Sequence, residues 1–144
     1  MKYQTGAPGR AIVVRFDDGD DVLKGLESVA LKEGINAAVL YIIGGLRRGK
    51  VVVGPKEDRV PPEPVWQELE DPHEVAAIGT IFHDAEGPKV HLHGAFGRGD
   101  STKTGCLREL GETFLLLEAV ILEIKGINAR RELDPASGLK LLKL

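Results

Sequence analysis

The chain has 144 residues, of which 42% are hydrophobic and 28% are charged, and its formal net charge is −3. This length suits one domain that can bury a core without disulfides or a structural metal. The negative charge gives a poor electrostatic field for binding a phosphate polymer or an anionic membrane. The single cysteine, Cys106, excludes an internal disulfide and fits a reducing compartment, so we expect a cytoplasmic protein with no membrane partner.

The first predicted elements are a strand and a helix. Residues 11–16 are short, β-branched and apolar, which predicts a buried strand. A helix should begin after Asp20 or Asp21, which can cap its start, and end at Gly34, which can cap its end. Gly25 lies inside this helix at a cost of about 1 kcal/mol relative to alanine, so packing must offset that cost.

The rest of the chain predicts strands, because Gly, Pro or Asp interrupt it often and the pieces between are rich in Val, Ile and Leu. They are expected near residues 36–43, 50–54, 65–69, 74–82, 89–97, 102–108, 113–125 and 139–143. Segment 113–125 would also suit a buried helix. The pair Gly44-Gly45 indicates a sharp bend or a close backbone approach. The fold class is therefore α+β: a single domain with a mainly antiparallel β-sheet or partly open barrel and one main helix.

Two histidines alternate with apolar residues in the segment Lys89-Val90-His91-Leu92-His93-Gly94. On a strand, His91 and His93 point to the same face, with Cβ atoms about 6–7 Å apart. Two imidazoles at this separation can converge on one metal ion through nitrogen atoms about 2.0–2.1 Å from it.

A third ligand depends on the register of the next strand. If Gly99-Asp100 is a two-residue hairpin turn, then His93 lies opposite Cys106 on one face of the sheet. Two imidazoles and a thiolate suit zinc or another divalent transition metal, and three protein ligands leave a fourth position open. A slip of one residue would send Cys106 to the other face. The alternative is two exposed histidines on an amphipathic strand beside an ordinary buried thiol.

Basic residues are candidates for contacts with a ligand or with phosphate. Arg47, Arg48 and Lys50 form the main cluster, and Arg98 precedes the predicted turn. Each would equally suit a solvated turn. His73 and His83 are expected at loops or strand ends, without a role in binding metal.

An ordered series of glycine turns and the His-x-His strand resembles the PPC domain, the family conserved between plants and prokaryotes. The resemblance covers about residues 8–127 and leaves 128–144 as a C-terminal strand or tail. The matching segments are Gly9-Arg10, the helix of residues 20–33, Tyr41-Ile42-Ile43-Gly44-Gly45-Leu46, Gly79-Thr80-Ile81, His91-Leu92-His93-Gly94 and Thr104-Gly105-Cys106-Leu107.

The resemblance implies an α+β domain that assembles as a homotrimer and stands alone in prokaryotes. Plant members carry AT-hooks, whereas this sequence has no Arg-Gly-Arg-Pro core. Prokaryotic relatives usually have histidine in place of Cys106, and their three histidines look like metal ligands. Cysteine is also a competent zinc ligand. The pattern is similar to that of acetolactate decarboxylase, a zinc enzyme with three histidine ligands.

These observations predict a homotrimeric metal-binding module with a regulatory or ligand-binding role, with His91, His93 and Cys106 as ligands. The apolar C-terminal segment 139–144 also favours assembly. The alternative is a zinc-dependent enzyme acting on a small carboxylate, assisted by Glu118 or Arg98. A nucleoid-type DNA-binding protein is a third reading, which the net charge disfavours.

Overall fold

The computed structural model describes residues 1–144 and contains one helix and eight strands. In chain order these are β1 (Ala7–Asp17), α1 (Val22–Glu33), β2 (Ala37–Pro55), β3 (Pro64–Leu69), β4 (His73–Asp84), β5 (Gly87–Arg98), β6 (Ser101–Lys125), β7 (Arg130–Leu133) and β8 (Lys140–Lys143). All strand pairs are antiparallel except β4 with β7. The predicted α+β class, with a mainly antiparallel sheet and one main helix, is confirmed.

Helix α1 begins and ends where its capping residues predict. The Asp21 side chain accepts a hydrogen bond from the backbone N–H of Lys24, and Gly34 adopts a left-handed conformation with φ of 65°. A Cβ atom at Gly25 would overlap the ring of Phe16, so close packing of β1 against the helix explains this glycine. The helix has 12 residues, and no helix in the structure is long and apolar enough to cross a membrane.

The sheet closes partly on itself because two long strands each pair with three neighbouring strands. Strand β2 pairs with β3, β4 and β6, while β6 pairs with β1, β2 and β5. Strands β4 and β5 also pair, so β2, β6, β5 and β4 form a ring of paired strands. Strands β1, β3, β7 and β8 lie outside that ring, and the sheet is not a barrel.

The glycines and irregular positions bend the long strands without ending them. Predicted strands 36–43 and 50–54 are both parts of β2, and predicted strands 102–108 and 113–125 are both parts of β6. Gly44 has φ of 133°, and a Cβ atom there would lie 2.5 Å from the carbonyl oxygen of Leu116. This confirms the close approach predicted at Gly44-Gly45. The alternative of a helix over 113–125 is wrong, and β7 was not predicted.

The ring has two unlike sides. The helix-facing side packs α1 against β5 and β6 over the main hydrophobic core. Its largest buried side chains are Phe96, Leu26, Ile35, Leu40, Ile42, Leu46, Leu69, Ile81, Leu92, Leu117, Ile121 and Val22. The other side, which we call the open side, exposes one row of directly paired hydrophobic residues: Val13, Val120, Tyr41 and Ile78. The next residue in that row is His93, opposite Ile78.

Candidate metal centre

The β5–β6 hairpin has the register that the sequence predicts. Arg98 pairs with Ser101 across the Gly99-Asp100 turn, and Gly99 has φ of 57°, a conformation that glycine readily supplies. Counting back along both strands places His93 directly opposite Cys106. The cysteine therefore faces the open side of the sheet together with His91 and His93.

The three side chains converge. The Nε2 atoms of His91 and His93 lie 3.1 Å apart, and no two of the three ligand atoms, including the sulfur of Cys106, are more than 4.8 Å apart. A tetrahedral zinc ion bound at about 2.0–2.1 Å by two nitrogens separates them by about 3.3 Å. The histidine pair already has this spacing, and the donor set is one that zinc prefers. These residues therefore fit a transition-metal ion.

Burial keeps two of these groups in their uncharged forms. Burial, helped by electrostatic repulsion, chiefly from Arg131 and also from Arg108, lowers the pKa of His91 to about 4. At neutral pH its imidazole is therefore uncharged and can offer a nitrogen lone pair. Burial raises the pKa of the Cys106 thiol, although Arg108 and Arg131 oppose the shift. A metal ion must displace the thiol proton when it binds.

A close approach of two strands fixes the position of Cys106. A Cβ atom at the preceding Gly105 would overlap the carbonyl oxygen of Val52 on β2. Gly105 lies opposite another glycine, Gly94 on β5. A Cβ atom at Gly94 would lie 2.9 Å from that of Ala77 on β4, so the strands pack closely on both sides of this glycine pair.

A cavity of about 520 Å³ opens beside the candidate ligands. Its polar lining includes His93, Cys106 and Arg108. Strand β2, the loop before β3, strand β3 and the C-terminal segment supply its apolar side chains, which are Val52, Val53, Pro55, Pro62, Pro64, Trp66 and Leu139. A molecule in this cavity would therefore be close to both the candidate metal position and apolar side chains.

Two arginines that the sequence analysis did not single out also act on this site. Arg108 follows Cys106 by two residues on β6, a spacing that places both side chains on the same face and could have been recognised. Arg131 lies on β7, and its Nη2 atom donates a hydrogen bond to the Thr80 hydroxyl over 3.1 Å. Thr80 pairs directly with His91. No sequence pattern signals Arg131, because β7 has only four residues.

The arginines proposed from the sequence lie elsewhere. Arg47 and Arg48 form ion pairs with Glu112, and Arg98 forms one with Asp71. None of the three arginines lines the cavity beside Cys106.

The remaining candidates from the sequence also lie outside this site. Glu118 lies opposite Ile43 and lines a different cavity. Nδ1 of His73 is hydrogen-bonded to the backbone carbonyl of Asp71, and Nε2 of His83 to that of Ile35. Both histidines therefore have local structural partners, and neither joins the group that could hold a metal.

Known structures share this fold over the whole chain. A metal-containing protein from Archaeoglobus fulgidus is 26% identical, with a TM-score of 0.88 and full coverage of both chains. A plant- and prokaryote-conserved (PPC) protein from Pyrococcus horikoshii is also 26% identical, with a TM-score of 0.83 and full coverage of both chains. A protein provisionally named as DNA-binding, from Ralstonia eutropha, is 21% identical, with a TM-score of 0.76 over 92% of this chain and 90% of its own.

No curated protein matches the chain. The sequence profile of the Plants and Prokaryotes Conserved (PCC) domain, however, matches residues 3–125. The resemblance seen in the glycine turns and the His-x-His strand is therefore confirmed. Because the profile spans most of the chain, this protein belongs to the Plants and Prokaryotes Conserved domain family, whose name is also written PPC.

Proposed function

We propose that this chain is a metal-binding module in which His91, His93 and Cys106 hold one zinc ion or another divalent transition metal. One observation carries the proposal: the three ligand atoms converge at the edge of a cavity. Two nitrogens and a sulfur favour zinc over magnesium or calcium, which prefer oxygen ligands. The description of the Archaeoglobus fulgidus protein as metal-containing supports the proposal.

The number of protein ligands indicates what such a metal would do. Structural zinc sites have four protein ligands, whereas sites with three leave one position for water or a ligand. Here that position would face the cavity lined by His93, Cys106 and Arg108. We therefore propose a ligand-binding or regulatory role for the bound metal.

The same open position supports a second candidate, a zinc-dependent enzyme acting on a small carboxylate. When bound, the metal would supply Lewis acidity toward an oxygen of the substrate. Glu118 lines a separate cavity and is not placed to exchange a proton at this site. A scan of 2-oxo and 2-hydroxy acids with and without zinc separates the two candidates, because only the enzyme would convert one of them to product.

Elemental analysis of protein purified without a histidine tag tests the metal proposal. We expect about one metal ion per chain in the wild type and a loss of most of it in His91→Ala and Cys106→Ser. The control is His83→Gln, which changes a histidine bonded to the Ile35 carbonyl outside the site. Equal metal content in all four proteins would refute the proposal.

We also propose that the chain assembles as a homotrimer through the open side of its sheet. Val13, Tyr41, Ile43 and Ile78 are exposed there, although the helix-facing side is well covered. Exposed hydrophobic side chains in one contiguous row are typical of an interface. A closed ring of copies would bury this row in every subunit without leaving an unpaired face.

Tight DNA binding is not expected of this assembly. Three copies would carry a net charge of about −9 at neutral pH, since each chain contributes −3. The main basic cluster is already partly neutralised, because Arg47 and Arg48 are paired with Glu112 and Arg47 also with Asp18. Fluorescence anisotropy near physiological salt should give no dissociation constant of about 10⁻⁸ M or tighter for A·T-rich or mixed duplexes.

A further inference from the structure

We propose that Arg108 and Arg131 form an anion site beside the metal position, and that the ligand of the cavity is a small carboxylate with an apolar substituent. The inference rests on the proposed metal-binding function and specifies its ligand. The carboxylate would contact the guanidinium groups and complete the coordination of the metal.

The first observation is that these arginines have no carboxylate partner. Arg10, Arg15, Arg47, Arg48, Arg59 and Arg98 each form an ion pair with an Asp or Glu side chain. Arg108, Arg130 and Arg131 form none, in a chain with 22 acidic residues, and Arg130 is exposed on β7. Arg131 is half-buried, and its Nε atom is fully buried without a hydrogen-bond partner. Arg108 is exposed and lines the cavity. A guanidinium without a carboxylate partner is suited to binding an anion.

The second observation is that each arginine lies beside a residue of the candidate site. Arg108 shares a strand face with Cys106 and lines the cavity. Arg131 reaches Thr80, the direct cross-strand partner of His91. No carboxylate side chain lines this cavity. The two arginines therefore concentrate positive charge at the metal position.

A bound metal would make this concentration of charge more pronounced. A divalent ion, one thiolate and two guanidiniums together carry a net charge of about +3. An anionic ligand would compensate this charge, and a planar carboxylate matches the two parallel N–H donors of a guanidinium. The volume of about 520 Å³ falls within the range of small-molecule sites.

The cavity wall distinguishes an organic anion from an inorganic one. Besides Cys106 and Arg108, the lining contains apolar side chains, among them Val52, Trp66 and Leu139. Phosphate or sulfate has nothing to bury against such a wall, whereas an aliphatic side chain does. We therefore infer a carboxylate with an aliphatic group of a few carbon atoms.

The proposed arrangement couples the metal affinity of the site to its carboxylate affinity, and this coupling can be measured. Without an anion, Arg108 and Arg131 repel the metal; with one, the anion attracts it. Metal and carboxylate must therefore each raise the affinity of the site for the other, and by the same factor. If the arginines had a purely structural role, replacing them would leave this coupling unchanged.

The experiment measures zinc affinity by competition with a chelator, alone and with one of three probes. These are 2-hydroxyisocaproate, its neutral amide, and inorganic phosphate. For the wild type we expect 2-hydroxyisocaproate to raise zinc affinity at least about tenfold, as for a charge-assisted contact. The amide should have no effect, and phosphate should have a smaller effect than the carboxylate.

Substitutions of Arg108 and Arg131 test whether the coupling between zinc and the carboxylate depends on these two arginines. In Arg108→Gln and Arg131→Gln, zinc affinity without the carboxylate should be unchanged or higher, while the increase caused by the carboxylate falls below about threefold. Arg131→Lys keeps the charge without the planar fork and should retain part of the increase. The matched control is Arg130→Gln, which changes the neighbouring arginine on β7 and should behave like the wild type.

The outcomes separate this inference from the metal proposal. Zinc binding without coupling to the carboxylate, or coupling that persists in both glutamine variants, overturns the anion site and leaves the metal site intact. A phosphate effect equal to or larger than that of 2-hydroxyisocaproate overturns the assignment to an organic carboxylate. Absence of zinc binding in the wild type under every condition overturns both proposals.

Discussion

The two sides of the sheet use alternate residues of the same strands for different purposes. Ile42 and Ile43 are neighbours on β2, yet Ile42 is 1% exposed on the helix-facing side and Ile43 is 59% exposed on the open side. The helix-facing side contains the main core, while the open side contains His91, His93, Cys106 and a row of exposed hydrophobic residues. The comparison teaches that burial on one side provides the stability that lets the other side expose candidate ligands and hydrophobic residues.

The most direct way to break this comparison is to truncate each isoleucine in turn. Ile42→Ala should lower the free energy of unfolding by about 2–5 kcal/mol, because it leaves a cavity in the core. Ile43→Ala should cost less than about 1 kcal/mol, since its side chain is mostly exposed within one chain. Chemical denaturation at low protein concentration measures both, and similar costs would show that the two sides are equally packed.

Assembly offers a second way to sharpen the contrast. Ile78→Glu places a charge at the end of the exposed row on the open side, beside His93, and should reduce the particle mass from about three times 15.6 kDa to 15.6 kDa. Leu31→Glu is the control, because Leu31 is at least as exposed but lies on α1. Light scattering measures the masses. A wild type of 15.6 kDa, or a trimer that tolerates Ile78→Glu, would contradict the proposed interface.

The close strand contact behind Cys106 gives a third, smaller effect. Gly105→Ala would push its new methyl group into the Val52 carbonyl, which should cost about 1–3 kcal/mol of stability and weaken metal binding. At Gly97 on β5 the nearest atom to a new Cβ is 3.6 Å away, so Gly97→Ala is the matched control. Thermal unfolding with metal analysis should separate the variants; two identical results would mean that the backbone adjusts freely.

The smallest expected effect concerns the ion pair between Asp84 and Lys140. Burial opposes ionisation of Asp84, but hydrogen bonds from Lys140 and the Glu86 N–H outweigh it, and the pKa of this carboxyl lies below its usual value. The pair therefore stabilises the fold above about pH 3.9, the usual carboxyl pKa, and this contribution disappears as pH falls through the lower folded value.

Removing that carboxyl should therefore make the free energy of unfolding depend less on pH in the acidic range. Between pH 7 and pH 3, the free energy of unfolding should fall less in Asp84→Asn than in the wild type. The two decreases should differ by at most about 1 kcal/mol. Unfolding measured across this pH range provides the test. Parallel curves for the two proteins would show that the ion pair does not contribute.

The sequence predicted those features that depend on local rules. The Gly99-Asp100 turn fixed the pairing of His93 with Cys106, and the caps at Asp21 and Gly34 fixed the helix. It did not predict that β2 and β6 continue through their glycines, because a bend within a strand and the end of a strand have similar local sequence patterns. Arg131 was also missed, since only the tertiary fold brings β7 beside Thr80.

The attachment of the β7–β8 hairpin has a consequence for how a ligand could be sensed. This hairpin carries Arg131 and is joined to the sheet by one residue pair, His83 with Arg130, by the hydrogen bond from Arg131 to Thr80, and by the ion pairs from Lys140 to Asp84 and Glu86. So few connections make its local opening less costly than unfolding of the ring. An anion bound by Arg131 would stabilise the closed state of the hairpin by its binding free energy. Amide hydrogen exchange at the C-terminal strands would then be slower when the cavity is occupied.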